Sequence, residues 1–409
     1  LKLVTSVGDF IESIPVSYQI INGDQVGVKC AYVETSPGVF GFEFQEGYNE
    51  EYELVIDPVL VAATLSGTGS GGSNFGHGAT FDLTGNIYTH AISFDSDYPV
   101  TEGAFQENYG GGGTDVAISK LTPDGTDLIY ATFVGGNGSD SPYSTIVNAN
   151  QEIYIYGRTD SDDFPTSPGA FQEEQGGGAD IFVTGLSIDG SELVGSTYLG
   201  GSAGDGSNVI FGAGYDALRG EINLDFNGNV YIASSSSSTN FPTTDTSLQS
   251  EKKQGQDAVV VKLSEQLDEL IWSTFVGSDA DDMAYGIRIK DDGTVYVAGA
   301  VGGNASDANE LETTEGAYQE QFGGGGTDGF VAHLSNEGEA IIECTFLGLN
   351  NEDILYFLDL DNNDDVWVYT YSTSDWEVTE GVWGTSQSSL LVNKLSEDLG
   401  VMRQSLLFQ

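Results

Sequence analysis

Seven residues near the C-terminal end, Asp359-Leu360-Asp361-Asn362-Asn363-Asp364-Asp365, carry oxygen ligands at alternate positions. A calcium loop presents its ligands with this spacing, so Asp359, Asp361, Asn363 and Asp365 are the candidate metal ligands and calcium the candidate ion. The segment departs from that pattern at its sixth position, where Asp364 replaces glycine, and at its twelfth, Thr370, which is no carboxylate. Ser278 to Asp282 and Asp160 to Asp163 are acidic loops of the same kind. Aspartate also recurs at Asp115, Asp180, Asp257 and Asp328. As a ring these carboxylates would bind cations, whereas as turn residues they would accept backbone N–H bonds, and regular recurrence favours the turn role. The recurring Gln106, Gln172, Gln249 and Gln319 are expected to tie loops to neighbouring backbone.

Catalytic chemistry finds little support. His77, His90 and His333 are scattered, with no metalloprotease helix motif and no nucleophile elbow around them. Glycoside hydrolysis needs only two carboxylates at a set separation, and 63 acidic residues leave that open, yet no pair stands apart from the repeat. The insertion Ser202 to Gly220 interrupts the repeat and carries Phe211, Tyr215 and Arg219, the candidate ligand-binding residues, because loops that depart from a scaffold carry function more often than the scaffold does. Trp376 and Trp383 would form a carbohydrate platform if exposed, or pack within their sheet if not.

The elements that must position these groups are written five times. One copy reads Gly85-Asn86-Ile87-Tyr88, Tyr98-Pro99, Gly103-Ala104-Phe105-Gln106, a glycine run Gly110 to Gly113, Asp115, then Thr132-Phe133-Val134-Gly135-Gly136. The next reads Ile153-Tyr154-Ile155, Phe164-Pro165, Gly169-Ala170-Phe171-Gln172, Gly176 to Gly178, Asp180, then Thr197-Tyr198-Leu199-Gly200-Gly201. Equivalent threonines at Thr64, Thr132, Thr197, Thr274 and Thr345 mark a steady period, the mark of stacked supersecondary units. Each unit holds four short runs rich in Val, Ile, Tyr and Phe between turn residues, which read as strands. The fold class is therefore all-β: a β-propeller of about five four-stranded blades with a short N-terminal β segment. The boundary falls at Asp57-Pro58, giving a segment 1–59, the end of a larger β domain, and a propeller 60–409. Strands are expected at Val16 to Ile21, Val26 to Val33, Val39 to Phe44 and Glu51 to Ile56, with turns at Asn22-Gly23 and Pro37-Gly38. The fifth copy has drifted: Trp376-Glu377 replaces Phe-Pro and the glycine run is gone. Val59 to Leu65 and Val401 to Leu407 both resemble the last strand of a repeat, and either would close a ring. The chain begins at Leu1 with no signal peptide and is expected to be a mature or truncated piece.

Twelve basic against 63 acidic residues give a formal charge of −51. That excludes nucleic acid as a partner and argues against anionic membrane surfaces. No run of 18 apolar residues exists, so no membrane-inserted helix is expected. Cys30 and Cys344 lack a metal-type spacing and are expected to be two buried free thiols, with one long-range disulfide as the alternative. Acidity, abundant glycine and β repeats together lean towards an extracellular setting.

The motifs Gly-Asn-Ile-Tyr at 85–88, Phe-Pro-Thr at 164–166, Gly-Ala-Phe-Gln at 169–172, Gly-Gly-Gly-Ala-Asp at 176–180 and Thr-Tyr-Leu-Gly-Gly at 197–201 resemble the SBBP (β-propeller) repeat family of bacteria. The resemblance covers residues 82 to 348 well and the fifth unit poorly. Tyr52 to Leu60 looks like the end of the domain that often precedes such repeats. The resemblance implies a large exported surface protein, of a type that in Bacteroidota often leaves through the type IX secretion system and is linked to surface adhesion or gliding motility. It implies no catalytic residue. The expected function is a non-catalytic cell-surface module for binding, adhesion or display. Its partner would be a surface glycan or protein, or the secretion or motility machinery. The rivals are a polysaccharide-active enzyme with carboxylates in the propeller funnel and a structural spacer in a larger filamentous protein.

Overall fold

Short β-branched and aromatic runs bounded by Gly, Asp and Asn pair as strands across tight turns. The computed structural model of the chain describes residues 2–5, 8–11, 16–21, 24–36, 39–44, 47–49, 51–52, 54–57, 75–207, 220–303, 305–376, 379 and 389–408. Their only helix is Ala305–Ala308. The chain divides into two compact units, Leu1–Leu65 with Pro123–Asp127, and Ser66–Thr122 with Leu128–Gln409.

Small antiparallel sheets make up the first unit. Val16–Ile21 pairs with Asp24–Val28 on one side and Leu54–Asp57 on the other. Cys30–Ser36 pairs with Val39–Phe44, and Lys2–Thr5 with Gly8–Ile11. The strand expected over Val26 to Val33 is thus split at Lys29, its halves joining different sheets. Buried Gln19 pins the return loop, donating to the carbonyls of Asn49 (2.7 Å) and Tyr52 (2.9 Å) and accepting from the Asn49 N–H (2.8 Å). The turns expected at Asn22-Gly23 and Pro37-Gly38 lie outside the described residues. Cys30 and Cys344 are free thiols; Cys344 is buried as expected, whereas Cys30, on a strand of a two-stranded sheet, is only half-buried.

The second unit carries five four-stranded antiparallel sheets in sequence order, each here called a blade. Blade 1 is Phe75–Phe81, Ile87–Ser93, Asp115–Leu121 and Leu128–Val134. Blade 2 is Asp140–Val147, Ile153–Thr159, Asp180–Leu186 and Leu193–Leu199. Blade 3 is Glu221–Leu224, Val230–Ser236, Asp257–Leu263 and Leu270–Val276. Blade 4 is Asp282–Ile289, Val295–Gly302, Thr327–Leu334 and Ile341–Leu347. Blade 5 is Asp353–Leu360, Val366–Ser372, Leu390–Leu395 and Met402–Phe408. The terminal run anticipated at Val401 to Leu407 is therefore the fourth strand of blade 5, whereas Val59 to Leu65 lies outside the described residues. First strands of consecutive blades pack side by side, the arrangement of a propeller.

Burial along the second strands records the neighbouring blades. Val230–Ser236 and Val295–Gly302 are buried at every position, because sheets lie on both faces. Ile87, Thr89 and Ala91 in blade 1, and Trp367, Tyr369 and Tyr371 in blade 5, stay half-buried on alternate positions. Tyr88, Tyr154, Tyr231 and Tyr296 are fully buried at one repeated position, each contributing about 1.5–3 kcal/mol of apolar burial.

Two backbone devices knit the array. The loop between second and third strands turns back along the outer strand: Phe133 N–H donates to the Gln106 carbonyl at 3.1 Å, and Gly135 N–H to Gln106 Oε1 at 3.1 Å. Gln172, Gln249 and Gln319 repeat these bonds at Gly200 (3.1 Å), Gly277 (3.2 Å) and Gly348 (3.0 Å). The glutamines thus cover an edge that would otherwise template aggregation. The same loop reaches the next blade, where Phe105, Phe171, Leu248 and Tyr318 donate their N–H groups to the carbonyls of Gly190, Leu267, Gly338 and Leu399.

Candidate functional site

The first hairpin of every blade is a five-residue turn whose fourth residue has positive φ: Gly85, Gln151, Gly228, Gly293 and Asp364. Asp364 therefore holds the left-handed position that glycine fills elsewhere, a conformation that Asp tolerates. In this turn Asp361 Oδ1 accepts the N–H groups of Asn363 (2.8 Å) and Asp365 (3.2 Å). Its Oδ2 meets Lys394 Nζ at 2.7 Å and accepts from Trp367 Nε1 at 3.3 Å. Asp365 meets Lys394 at 3.0 Å and Arg403 at 2.8 Å, and Asp359 meets Arg288 at 3.2 Å. The four candidate calcium ligands do not converge; three of them are ion-paired to side chains from other strands. Hydrogen bonding from Lys394 and then from the Asn363 N–H holds Asp361 well below the usual carboxylate range. Among the described residues, no group of three or more His, Cys, Asp and Glu side chains is placed to hold a metal ion. Asp361→Asn is expected to lower the thermal midpoint equally with and without about 2 mM calcium, a level that fills extracellular-type sites. A calcium-dependent difference in scanning calorimetry would restore the ion to this turn.

The other acidic loops are likewise occupied. Asn137 donates its backbone N–H to Asp163 (2.7 Å) and its amide to Asp162 (2.8 Å), while Ser278 N–H donates to Asp282 (2.6 Å). Asp115, Asp180, Asp257 and Asp328 are fully buried at the start of third strands. Each accepts a backbone N–H, from Gly110, Gly176, Lys253 and Gly323 respectively. Their remaining Oδ1 atoms are buried without a hydrogen-bond partner. Opposite them stand the equally buried Asp140, Asp282 and Asp353, which begin the next blades, and Asp205, bridged to Ser236 of blade 3. Burial, opposed by the Gly110 N–H and reinforced by Asp140 and Asp163, pushes Asp115 up to about 7. Asp115, Asp180, Asp257 and Asp328 therefore hold turns through backbone N–H groups and are buried between consecutive blades. On the first strands, Arg288 of blade 4 bridges Glu221 of blade 3 (2.6 Å) and Asp359 of blade 5 (3.2 Å).

The described histidine side chains lie in different blades, and that of His77 is outside the described residues. His90 is buried in blade 1, whereas His333 in blade 4 stacks on Tyr296 with ring centroids 4.0 Å apart. Burial and then Lys290 push His333 down to about 4. Trp376 is no surface platform: it is buried in blade 5 and donates Nε1 to Asp353 and Ser372, each at 2.9 Å. Trp383, Phe211, Tyr215 and Arg219 lie outside the described residues.

A cleft of about 690 Å³ opens between blades 3 and 4, of a size suited to a small ligand. Its walls are the first-hairpin turns of the two blades and the Asn336–Glu339 turn, and its floor includes Lys262, Ile271 and Trp272. Trp272 is held edge-on against Tyr231, with centroids 6.0 Å apart, and Lys262 lies 4.8 Å from the Tyr231 ring centre. Asp225 shapes one wall by accepting the N–H groups of Asn227 and Asn229, both at 2.9 Å. That turn lifts Phe226 into solvent at 90% exposure. Both lysines of the cleft are already paired, Lys262 with Asp225 (3.4 Å), and Lys290 with Asp364 (3.0 Å) and Glu397 (2.6 Å). Asn227, Thr246, Asn336, Asp291, Asp292, Glu337 and Glu339 are among the remaining polar lining. The candidate ligand-binding residues of the sequence belong to the insertion of the same repeat, and this cleft is separate from them in the sequence. The available signal was the turn position itself, where Phe226 stands against Leu83, Ala149, Asp291 and Asn362 in the other copies.

Residues 1–59 match a family model described as "Domain of unknown function (DUF7948)". No curated protein matches the chain. Among solved structures the chain is similar to a polysaccharide lyase, a PL25 ulvan lyase, at 10% identity and TM-score 0.41, covering 80% of this chain and 69% of that one. It is also similar to NanB sialidase from Streptococcus pneumoniae, at 8% identity and TM-score 0.41, covering 86% and 63%. A third is the apocarotenoid oxygenase of Synechocystis, at 8% identity and TM-score 0.39, covering 83% and 63%. Likenesses this distant bear on no residue of the cleft.

Proposed function

We propose that this chain is a non-catalytic binding module of an exported surface protein, built on a five-bladed propeller scaffold that presents the cleft between blades 3 and 4. The observation that carries the reading is Phe226, a large aromatic side chain left in solvent at the lip of that cleft by a turn rigidly held through Asp225. A rigid aromatic anchor beside amide and hydroxyl groups is a recognition surface rather than a reaction centre. The aspartates with raised proton affinity support the non-catalytic reading too, since they are buried at blade junctions, and the one raised glutamate, Glu221, is ion-paired to Arg288. Export to the cell surface, by a type IX route serving adhesion or motility, rests on the repeat resemblance and on the acidic composition.

Incubating the 409-residue chain with immobilised surface polysaccharides tests this reading. Retention of the protein is expected, without new reducing ends or unsaturated uronate absorbing at about 235 nm. Phe226→Ala should weaken retention roughly tenfold, the scale of about 1.4 kcal/mol for one stacked contact. Release of reducing ends or unsaturated products would overturn the non-catalytic reading in favour of a polysaccharide-active enzyme.

A further inference from the structure

A second depression, of about 400 Å³, lies on the other side of the same turn, between blades 2 and 3. Leu224, Asp225, Phe226 and Asn227 line both hollows. Phe226 is therefore not merely a lip but a ridge shared by two binding hollows. From these observations, and resting on the binding reading above, we infer that the ligand is a neutral polysaccharide chain laid across Phe226, with successive sugar units in both hollows.

The chemistry of the two sides selects that class. A pyranose presents a face of C–H groups that packs on an aromatic ring, and its hydroxyls seek amide and carboxylate partners at the rim. Asn227, Asn336 and Thr246 stand on the blade 4 side, and Asn150 and Glu265 on the blade 2 side. Charge rejects the acidic alternatives. The larger cleft holds five carboxylates (Asp225, Asp291, Asp292, Glu337 and Glu339) against Lys262 and Lys290. Both ammonium groups are committed to carboxylates, so neither is placed to receive a sulfate or uronate. The whole chain carries −51, which repels any polyanion before contact. Length follows from geometry, because one sugar on Phe226 reaches only the rims, whereas a chain crossing the ridge engages both hollows without new ordering of the protein.

Isothermal titration of the full 409-residue chain decides the matter, using gluco-, manno- and xylo-oligosaccharides from one to eight units, with polygalacturonate and dextran sulfate as anionic probes. One neutral series is expected to bind with affinity rising at least tenfold from the disaccharide to the hexasaccharide, then levelling. Phe226→Ala should abolish that rise, and its exposed side chain leaves the fold untouched. Asn150→Ala should weaken the long oligomers but not the shortest one that binds. Affinity independent of length, equal or tighter binding of the anionic chains, or indifference to Phe226→Ala would overturn this inference while leaving a binding module. Absence of binding to any saccharide would overturn the inference and remove its support from the glycan reading as well.

Discussion

Heat is expected to unfold this protein at a lower temperature at pH 8 than at pH 5, by roughly 10 °C. The cause is the carboxyls buried at the blade junctions. Burial, against the N–H groups that each accepts, pushes Asp180 and Asp328 up to about 7, as it does Asp115, and Asp257 to about 6. Asp140 is raised to about 6, again chiefly by burial, against the hydroxyls of Thr159 and Ser161 and the Gly136 N–H. Neighbouring charge differs from junction to junction: Asp205 opposes ionisation of Asp180 and Arg158 favours it, Lys252 and Lys253 favour that of Asp257, and Asp353 opposes that of Asp328. An unfolded aspartate titrates near pH 3.9. Because the folded state holds these protons more tightly, their contribution to stability is complete below that value. It is lost as pH rises through 6 and 7. A proton held only ten times more tightly in the folded state is worth about 1.4 kcal/mol, so five such groups come to about 7 kcal/mol. For a domain of this size, that corresponds to a midpoint change of roughly 10 °C.

Surface repulsion acts in the same direction, and salt separates the two. In 1 M NaCl the screening length is about 3 Å, which quenches surface repulsion and leaves buried pairs nearly untouched. The drop between pH 5 and 8 should therefore persist in high salt. Replacing Asp115, Asp180, Asp257 and Asp328 together by Asn keeps an oxygen to accept the backbone N–H and removes the ionisation. That variant should be close to wild type at pH 5 and more stable at pH 8. A wild-type midpoint that stays level or climbs from pH 5 to 8 in 1 M salt would sink this account.

Gly200→Ala is expected to cost about 3 kcal/mol, at the upper end of what overpacking does. Gly200 directly follows the fourth strand of blade 2 and lies against the buried carboxyl of Asp180. A Cβ there would stand 2.4 Å from both Cγ and Oδ1 of Asp180. Neither partner can give way cheaply. The Gly200 N–H donates to Gln172 Oε1 at 3.1 Å, part of the cap on the outer strand, and Asp180 Oδ2 accepts the Gly176 N–H at 2.6 Å. The same approach recurs at Gly348, where a Cβ would stand 2.3 Å from Asp328 Cγ. Urea unfolding of Gly200→Ala, Asp180→Ala and the double variant measures the coupling. The double variant should recover at least 1 kcal/mol relative to the sum of the single changes. If Gly200→Ala lies within about 0.5 kcal/mol of wild type, the close packing of glycine on aspartate is not what holds this junction.

Turn chemistry and strand composition are local, and they were legible in the residues alone. Asp, Asn and Gly between the first two strands prescribe a tight hairpin, and the structure adds that Asp364 takes its left-handed fourth position in blade 5. Repetition of Asp115 and Gln106 in equivalent places marks them as scaffold, because a residue needed once per sheet serves the sheet. Four strands per repeat follow from the same local signals.

Tertiary structure alone decided what each acidic side chain meets. The spacing of Asp359, Asp361, Asn363 and Asp365 suits calcium, yet Lys394 and Arg403 arrive from the next two strands of blade 5, and Arg288 from blade 4, to neutralise the carboxylates. The pairing of Asp115 with Asp140 arises only when one blade stacks on the next, and stacking also removes the water that would keep both ionised. Alternation of burial fails as a guide for the same reason: Val230–Ser236 has sheets on both faces, whereas Val366–Ser372 is closely covered on one. Phe226 reads as an ordinary turn residue until its neighbours are in place. Its exposure, and the two hollows it divides, depend on the spacing between blades 2, 3 and 4, a long-range property set by packing and carried by no local pattern.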